Sequence, residues 1–360
     1  MINNGSSRKI VHLIGQLGRG GSERQLFRLT QALKNKGWVQ SVIAFAEGGI
    51  WQPRLEQIGI PVYVVPKSCS KIGRVLRLRK LLIQENPALL HNWSPHTAIY
   101  ARWATPLKKI KMLYGIRIDL TIDAHTGCDN QKIPYLNGLL AADYVVSNSQ
   151  DALKRLQSRG FTFKNAVTIS NIIDIPQNVQ ARNSNQTTHI VTVGQLIPRK
   201  GYEAFIEALK VVAHSGADFS VSMAGNGESR QHLEFLSKGL EKNITFLGDV
   251  EDISSLLHSA DLFVHPSYRE GLSNAVLEAM AAGLPVIASN SGSGELIEDK
   301  KSGLLFHAGD SDALADAILS LIRNAEQRKT LGEEARNFVQ NNCNEAFITE
   351  CYENIYHEIL

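Results

Sequence analysis

Short apolar runs alternate with helix-period segments along almost the whole chain. The first run, Ile10 to Ile14, passes through a glycine-bearing loop, Gly15 to Gly21, into a segment from Glu23 to Lys36 with apolar positions at 3.6-residue spacing. The same order returns at Ile190 to Val193, Gly194 to Gly201 and Glu203 to Ala213. Each set predicts the opening βα unit of a doubly wound domain. Further strands are predicted at Ser41 to Phe45, Val62 to Val65, Leu89 to Asn92, Met112 to Ile116 and Tyr144 to Ser147 after the first set. After the second they are predicted at Phe219 to Ala224, Ile244 to Leu247, Leu262 to Pro266, Val286 to Ala288 and Gly303 to Phe306. Strands separated by helical segments imply parallel sheets wrapped by helices. The expected fold class is therefore α/β, with two similar doubly wound domains.

Between them, Pro176 to His189 is rich in Asn, Gln, Ser and Thr and reads as an exposed linker. The expected divisions are residues 1–175, a linker at 176–189 and a second domain at 190–344. Residues 345–360 place Phe347, Ile348, Cys351, Tyr352, Ile355 and Tyr356 on one helical stripe, predicting an amphipathic helix that crosses back onto the first domain. Ligands of open parallel sheets bind at the carboxyl ends of the strands. Two such domains facing one another would offer two substrates a shared crevice.

With 43% hydrophobic and 20% charged residues among 360, the composition is that of ordinary globular chains. No apolar run approaches the roughly 18 to 20 residues of a membrane span. The polar start, Met1 to Lys9, leads straight into a strand, so neither a span nor a signal peptide is expected. Cys69, Cys128, Cys343 and Cys351 have no metal-ligand spacing, which points to a reducing cytoplasm and no structural metal. The net charge of +3 hides an asymmetry: residues 1–175 hold 24 basic against 10 acidic side chains, and residues 176–360 hold 14 against 25. A basic half suits phosphate-rich or anionic partners.

The densest candidate chemistry lies between His265 and Ser289. A strand ends at Pro266, a loop carries Glu270 and Gly271, and a helix is predicted from Ser273 to Gly283. Gly271 lets a ligand approach the backbone, and the N–H groups of Leu272, Ser273, Asn274 and Ala275 with the helix dipole form an anion site. Glu270 sits where it can hydrogen-bond hydroxyls, and Glu278 lies more than a turn further in; spacing alone fits equally a loop carboxylate and a surface helix residue. In the loop Gly194 to Gly201, Arg199 and Lys200 stand together after a strand, placed either for a diphosphate or simply for solvent. The glycines at 18, 20 and 21 do not make G-x-G-x-x-G, and there is no P-loop motif.

These residues resemble a family. Glu270-x7-Glu278, within P-S-x-x-E-G-x-x-x-x-x-L-E-A-M-A-x-G-x-P-V-I-A-S, is similar to the signature of the retaining GT-B glycosyltransferases of family 4 (glycosyl transferases group 1). Gly20-Gly21-Ser-Glu23 resembles that family's G-G-x-E loop, and Asp143-Tyr-Val-Val-Ser-Asn-Ser149 its A-D-x-V-x-x-x-S stretch. Val193-Gly-Gln-Leu-x-x-Arg-Lys-Gly201 is similar to its V-G-R-L-x-x-x-K-G, and Ser170-Asn-Ile-Ile-Asp174 stands where P-N-G-V/I-D is usual.

The resemblance implies GT-B architecture, two Rossmann-like domains across a cleft, the second holding a nucleoside diphosphate sugar, with UDP taken as the nucleotide. It implies that Arg199 and Lys200 neutralise the donor diphosphate and that Glu270 hydrogen-bonds the sugar. Gly194 and the backbone of Gly271, Leu272, Ser273 and Asn274 would face sugar and phosphate, Glu278 the ribose, and Gly248 to Val250 the base. Gly20 and Gly21 would cover the phosphates, with hinges near Asn171 to Asp174 and before the final helix. Arg117 stands near the place of a family His, and would bind an anion rather than act as a base; His91, His96 and His125 lie in the same half, on the acceptor side or simply packed.

The reaction implied is retaining, metal-independent transfer of a hexosyl unit to a saccharide or lipid-linked saccharide in surface polysaccharide synthesis, with no cofactor and no metal. An NAD-dependent oxidoreductase lacks its fingerprint here, a nucleotide-sugar epimerase fits less of the chain, and a non-catalytic nucleotide-sugar binder would not need all four of Arg199, Lys200, Glu270 and Glu278. No nucleic-acid module is recognisable. Finally, Lys67, Lys71, Arg74, Arg77, Arg79 and Lys80 interleave with Ile72, Val75, Leu76, Leu78, Leu81 and Leu82, and Lys108, Lys109 and Lys111 follow. Such a segment is either a helix packed on the first sheet or one that attaches the protein to the inner face of an anionic membrane; the charge split favours the membrane.

Overall fold

The computed structural model describes residues 9–66, 68–105, 110–121, 136–177, 187–291 and 293–360. They fall into two compact units, the first running to Ile172 and regaining Glu345–Leu360, the second holding Ile173–Asn344.

In the first unit seven strands form one parallel sheet: β1 (Lys9–Ile14), β2 (Val39–Ala44), β3 (Val62–Val64), β4 (Leu89–Asn92), β5 (Lys111–Ile116), β6 (Tyr144–Ser147) and β7 (Ala166–Thr168). Their order is β3-β2-β1-β4-β5-β6-β7, every neighbouring pair parallel. The second unit has β8 (Thr188–Val193), β9 (Phe219–Ala224), β10 (Ile244–Gly248), β11 (Leu262–His265), β12 (Val286–Ser289) and β13 (Leu304–Phe306), in the parallel order β10-β9-β8-β11-β12-β13. A strand covered by helices on both faces has no polar side to show, which is why β1 reads as an unbroken run and is buried from Ile10 onward. Helix Gly21–Asn35 lays Leu26, Leu29 and Leu33 against the first sheet; helix Tyr202–His214 lays Phe205, Leu209 and Val212 against the second.

Three details differ from the sequence expectation. Strand β7 is not visible in the sequence, because three half-buried residues carry no periodicity. Strand β8 starts at Thr188 and takes the last two residues of the expected linker, whose residues 178–186 lie outside those described. The chain changes unit after Ile172, a few residues before the expected boundary.

Helix Glu345–Ile359 belongs to the first unit, where Ile348, Tyr352, Ile355, Tyr356 and Ile359 share a core with Leu26, Leu29, Leu33 and Trp38. Its Glu353 accepts from Trp38 Nε1 at 2.9 Å and pairs with Lys36 Nζ at 2.6 Å. Helix Lys71–Glu85, capped by Ser70 Oγ accepting from Gly73 N at 3.1 Å, carries two apolar stripes. Leu78, Leu81 and Leu82 are buried against the sheet. Ile72, Leu76 and Ile83 lie within about 40° of one another at 3.6 residues per turn, on the opposite side, and are 74%, 62% and 63% exposed. Among the described residues no helix is long and apolar enough to cross a membrane.

Candidate active site

Strand order reverses between β8 and β11, so the loops leaving these two strands run to opposite faces of the sheet and leave a crevice at their carboxyl ends. The loop after β8 closes with a single turn, Pro198–Lys200, begun by the fixed φ of Pro198. Gly201 ends it at φ 68°, and a Cβ there would lie 2.2 Å from the carbonyl oxygen of Pro266, just past β11. Only glycine permits that approach. The two loops are then bonded together: the Arg199 carbonyl accepts from Tyr268 N at 2.9 Å and from Ser267 Oγ at 3.3 Å.

This register brings three of the candidate side chains into contact. Arg199 Nη1 stands 3.1 Å from Glu270 Oε2 and donates to the Arg269 carbonyl at 2.9 Å. Lys200 Nζ pairs directly with Glu270 Oε1, which also accepts from Ser267 Oγ at 3.0 Å. His265 Nε2 lies 3.5 Å from the same oxygen. All three charged side chains are only 11–14% exposed. Burial by itself would raise the Glu270 carboxyl, but the Lys200 ammonium, the His265 contact and the Arg199 guanidinium outweigh it and hold Glu270 well below the ordinary carboxylate range. Burial lowers His265, despite the opposing pull of Glu270, so its imidazole is neutral near pH 7. Burial also pushes the hydroxyl of Tyr202 up, and a Cβ on Gly194 would come within 2.9 Å of that oxygen.

The remaining candidates of this unit share the same sheet edge, because all its strands are parallel. Helix Asn274–Ala281 starts four residues after Glu270; its cap, Ser273, makes no side-chain bond to the first turn, where helical amides lack carbonyl partners. Gly271 and Leu272 are half-buried in the connecting loop, and half-buried Glu278 lies one turn into the helix. Gly248 ends β10 at φ 68°, with its carbonyl accepting from Gly225 N at 2.7 Å, and Val250 follows half-buried.

Two family profiles match the chain: glycosyl transferases group 1 over residues 187–324, and glycosyltransferase family 4 over residues 19–177. The chain belongs to glycosyltransferase family 4. It is 26% identical to a phosphatidyl-myo-inositol mannosyltransferase of Mycobacterium leprae, over 85% of this chain and 84% of that one. It is 25% identical to the lipopolysaccharide core biosynthesis glycosyltransferase LpsE of Rhizobium meliloti, over 92% and 94%. Among solved structures, Anabaena HepE in complex with UDP-glucose superposes with a TM-score of 0.82 at 22% identity, covering 97% of this chain and 99% of that one. The fold is GT-B, and the oxidoreductase alternative is set aside.

The first unit of this glycosyltransferase corrects the acceptor-side candidates. His91 is fully enclosed, stacked on Trp93 at 4.5 Å between ring centroids, with Nδ1 2.8 Å from the Tyr356 hydroxyl. Arg117 lies over the Trp93 ring at 4.5 Å, donates to Asn171 Oδ1 at 2.9 Å and bonds the Tyr352 hydroxyl. Both hold helix Glu345–Ile359 in place rather than facing an acceptor, because the aromatic stripe of that helix covers them. Beside them Trp93 Nε1 donates to His12 Nδ1 at 3.1 Å, leaving His12 Nε2–H to bond Gln40 Oε1 at 3.0 Å; burial takes His12 down to about 4. His125 lies outside the described residues.

Gly20 caps helix Gly21–Asn35, and a Cβ on it would collide with the Glu23 carboxylate, 2.1 Å from Oε2; burial raises that carboxyl. The Glu23 side chain thus folds back over Gly20. Sequence reasoning missed His265 and Ser267 as partners of Glu270; their place at the end of β11 was the available signal. It also passed over an Asp-x-Asp spacing, Asp310-Ser-Asp312, where Asp310 caps helix Ser311–Arg323 by accepting from Ala313 N at 2.9 Å.

Proposed function

We propose that this glycosyltransferase moves a hexosyl unit from a UDP-sugar to a saccharide or lipid-linked saccharide of a surface glycan, with retention and without a metal, against the cytoplasmic face of a membrane. The observation that carries the proposal is the Arg199–Lys200–Glu270 cluster at the reversal point of the second sheet. Without donor, Glu270 neutralises both cations. A diphosphate entering the crevice takes over Arg199 and Lys200 through charge-assisted bonds, and Glu270 turns its oxygens to the sugar hydroxyls. The amides opening helix Asn274–Ala281 add positive potential where the leaving group gathers charge. Glu278 takes the ribose, and Gly248 to Val250 border the base.

In this reading the bond from the anomeric carbon to the phosphate oxygen breaks while the acceptor oxygen bonds to the same face of that carbon. The acceptor proton passes to the departing phosphate oxygen, so no protein nucleophile takes part. Cations supply the charge that a divalent metal would. HepE, with UDP-glucose in its crystal structure, supports the nucleotide, and the two curated relatives, named for a glycolipid and a lipopolysaccharide core, support the acceptor class.

The test offers UDP-glucose, UDP-galactose and UDP-N-acetylglucosamine with and without EDTA, and follows UDP release and the anomeric proton of the product. Release of UDP that is unaffected by EDTA, with an axial linkage from an axial donor, is expected. Strict metal dependence or an inverted linkage would overturn those parts of the reading, and no UDP release from any donor would overturn the choice of nucleotide.

A further inference from the structure

His265 stands in an apolar row. It ends β11 two residues after Phe263, so both side chains point to the same face of the sheet, and their rings lie nearly parallel, 13° apart with centroids at 6.5 Å. That face carries helix Asn274–Ala281, since Phe263 shares its core with Val276, Leu277 and Met280. The imidazole is 1% exposed, and among the described residues neither of its nitrogens has a hydrogen-bond partner. A buried polar group in that state costs stability, and an aliphatic side chain of comparable volume would fill the row without the cost. The sequence keeps a group that the donor-free fold does not use.

What Nε2 faces is Glu270 Oε1, at 3.5 Å, a few tenths of an ångström beyond an ordinary N–H···O bond. That oxygen is taken by the Lys200 ammonium and by Ser267 Oγ at 3.0 Å, while Arg199 Nη1 stands 3.1 Å from Oε2. Burial keeps the ring uncharged near neutral pH, with Lys200 and Arg199 opposing a proton and Glu270 favouring one. His265 can therefore offer Nε2–H without adding a third cation to the cluster. In the transfer reading a diphosphate draws both cations toward itself. A carboxylate that is only 11% exposed then loses the charges that offset its burial, and it needs another donor if it is to stay ionised and in place.

We propose that His265 is a positioning residue of the transfer reaction: once donor is bound, its Nε2–H replaces the Lys200 ammonium on Glu270 Oε1 and fixes the plane of that carboxylate for the sugar hydroxyls. The proposal rests on the transfer reading above and adds the group that holds Glu270 after the cations have turned to the diphosphate. The movement required is small, because the ring already lies against its acceptor and is held by the Phe263 row. The donor-free state keeps this hydrogen bond unmade because Lys200 occupies the oxygen.

Substitutions at His265 separate this role from packing. His265→Gln puts an amide N–H where Nε2–H is, His265→Asn reaches only as far as Nδ1, and His265→Leu fills the row with no donor. Calorimetry with UDP gives the nucleotide affinity, and UDP release from whichever of the three donors the wild type uses best gives kcat and KM. His265→Leu and His265→Asn should lower kcat about 10- to 100-fold, the range for one hydrogen bond to a charged group, with UDP affinity unchanged. His265→Gln should restore turnover. Wild-type kcat in His265→Leu, His265→Gln as slow as His265→Leu, or a fall in UDP affinity that accounts for the whole loss would each overturn the proposal.

A second measurement needs no sugar transfer. In protein carrying isotopically labelled histidine, inorganic pyrophosphate should draw Lys200 off Glu270 and move the His265 Nε2–H proton resonance downfield, the signal being identified by its loss in His265→Gln. The shift should be missing in Glu270→Ala. A resonance that stays in place however much pyrophosphate is added overturns the proposal, whatever the protein turns over. The shift appearing in a chain that releases UDP from no donor would sink the transfer reading alone.

Discussion

Replacing Gly201 by alanine tests whether the contact between the β8 and β11 loops sets the geometry of the catalytic cluster. At φ 68° an L-residue costs about 1–2 kcal/mol. The new methyl would also lie 2.2 Å from the Pro266 carbonyl oxygen, a backbone atom that cannot rotate aside, and relieving such overpacking typically costs about 1–3 kcal/mol. Together these destabilise the second unit by about 2–5 kcal/mol, or about 4–20 °C in Tm at 2–4 °C per kcal/mol. Relief requires the loops to part by about 1 Å, which carries Arg199 and Lys200 away from Glu270 and lowers turnover on the order of 10²-fold. Gly216→Ala is the control, since Gly216 has φ 76° but nothing within 4 Å of its Cβ position. It should lose only the conformational part and keep full turnover. Thermal melts and UDP release on both variants decide the matter: if Gly201→Ala melts and turns over like Gly216→Ala, the loop contact does not position the cations.

Arg199→Ala and Lys200→Ala should each slow UDP release on the order of 10²-fold, the usual loss for one donor to a developing negative charge; unchanged turnover in both folded variants would refute their role. Glu270→Ala releases both cations for a diphosphate, so calorimetry should show UDP affinity held or increased while sugar-dependent turnover falls, whereas Glu278→Ala should weaken UDP itself; equal loss of UDP affinity in the two would contradict the division. Because Glu270 is held below its ordinary value, its contribution to stability is complete above the unfolded-state range near about pH 4.3 and disappears only as pH falls through the lower folded value. The Tm gap between the wild type and Glu270→Gln should thus stay constant from pH 7 to 5 and narrow below that; a gap that stays constant or widens as the pH falls below 5 would mean the carboxyl is not depressed.

The strands were legible because burial on both faces writes them as apolar runs, and β7 escaped because three half-buried residues leave no such mark. Arg199, Lys200 and Glu270 were legible from motif spacing, but their mutual pairing depends on the Gly201–Pro266 approach, which joins residues 65 positions apart and has no local signature. His91 and Arg117 misled for a related reason. Their positions in or just past strands look ligand-facing until helix Glu345–Ile359, more than two hundred residues later in the chain, is laid over them. Helix Lys71–Glu85 showed interleaved apolar and basic positions in the sequence, yet which stripe the sheet takes depends on the strand it follows. The structure packs Leu78, Leu81 and Leu82 on the sheet and leaves Ile72, Leu76 and Ile83 exposed on the opposite side.

The return of helix Glu345–Ile359 to the first unit bears on how the protein is made. Leu26, Leu29 and Leu33 emerge early, but the side chains that cover them come only after all of Ile173–Asn344 has been synthesised. At about 5–20 residues per second that interval is about 10–35 s, far longer than helices and local contacts need to form. During it the nascent first unit carries an open apolar seat, a target for chaperones and for the equivalent helix of another chain. Two newly made molecules that trade this helix would each satisfy the seat with native contacts, so a domain-swapped dimer is the misassembly that this connectivity favours.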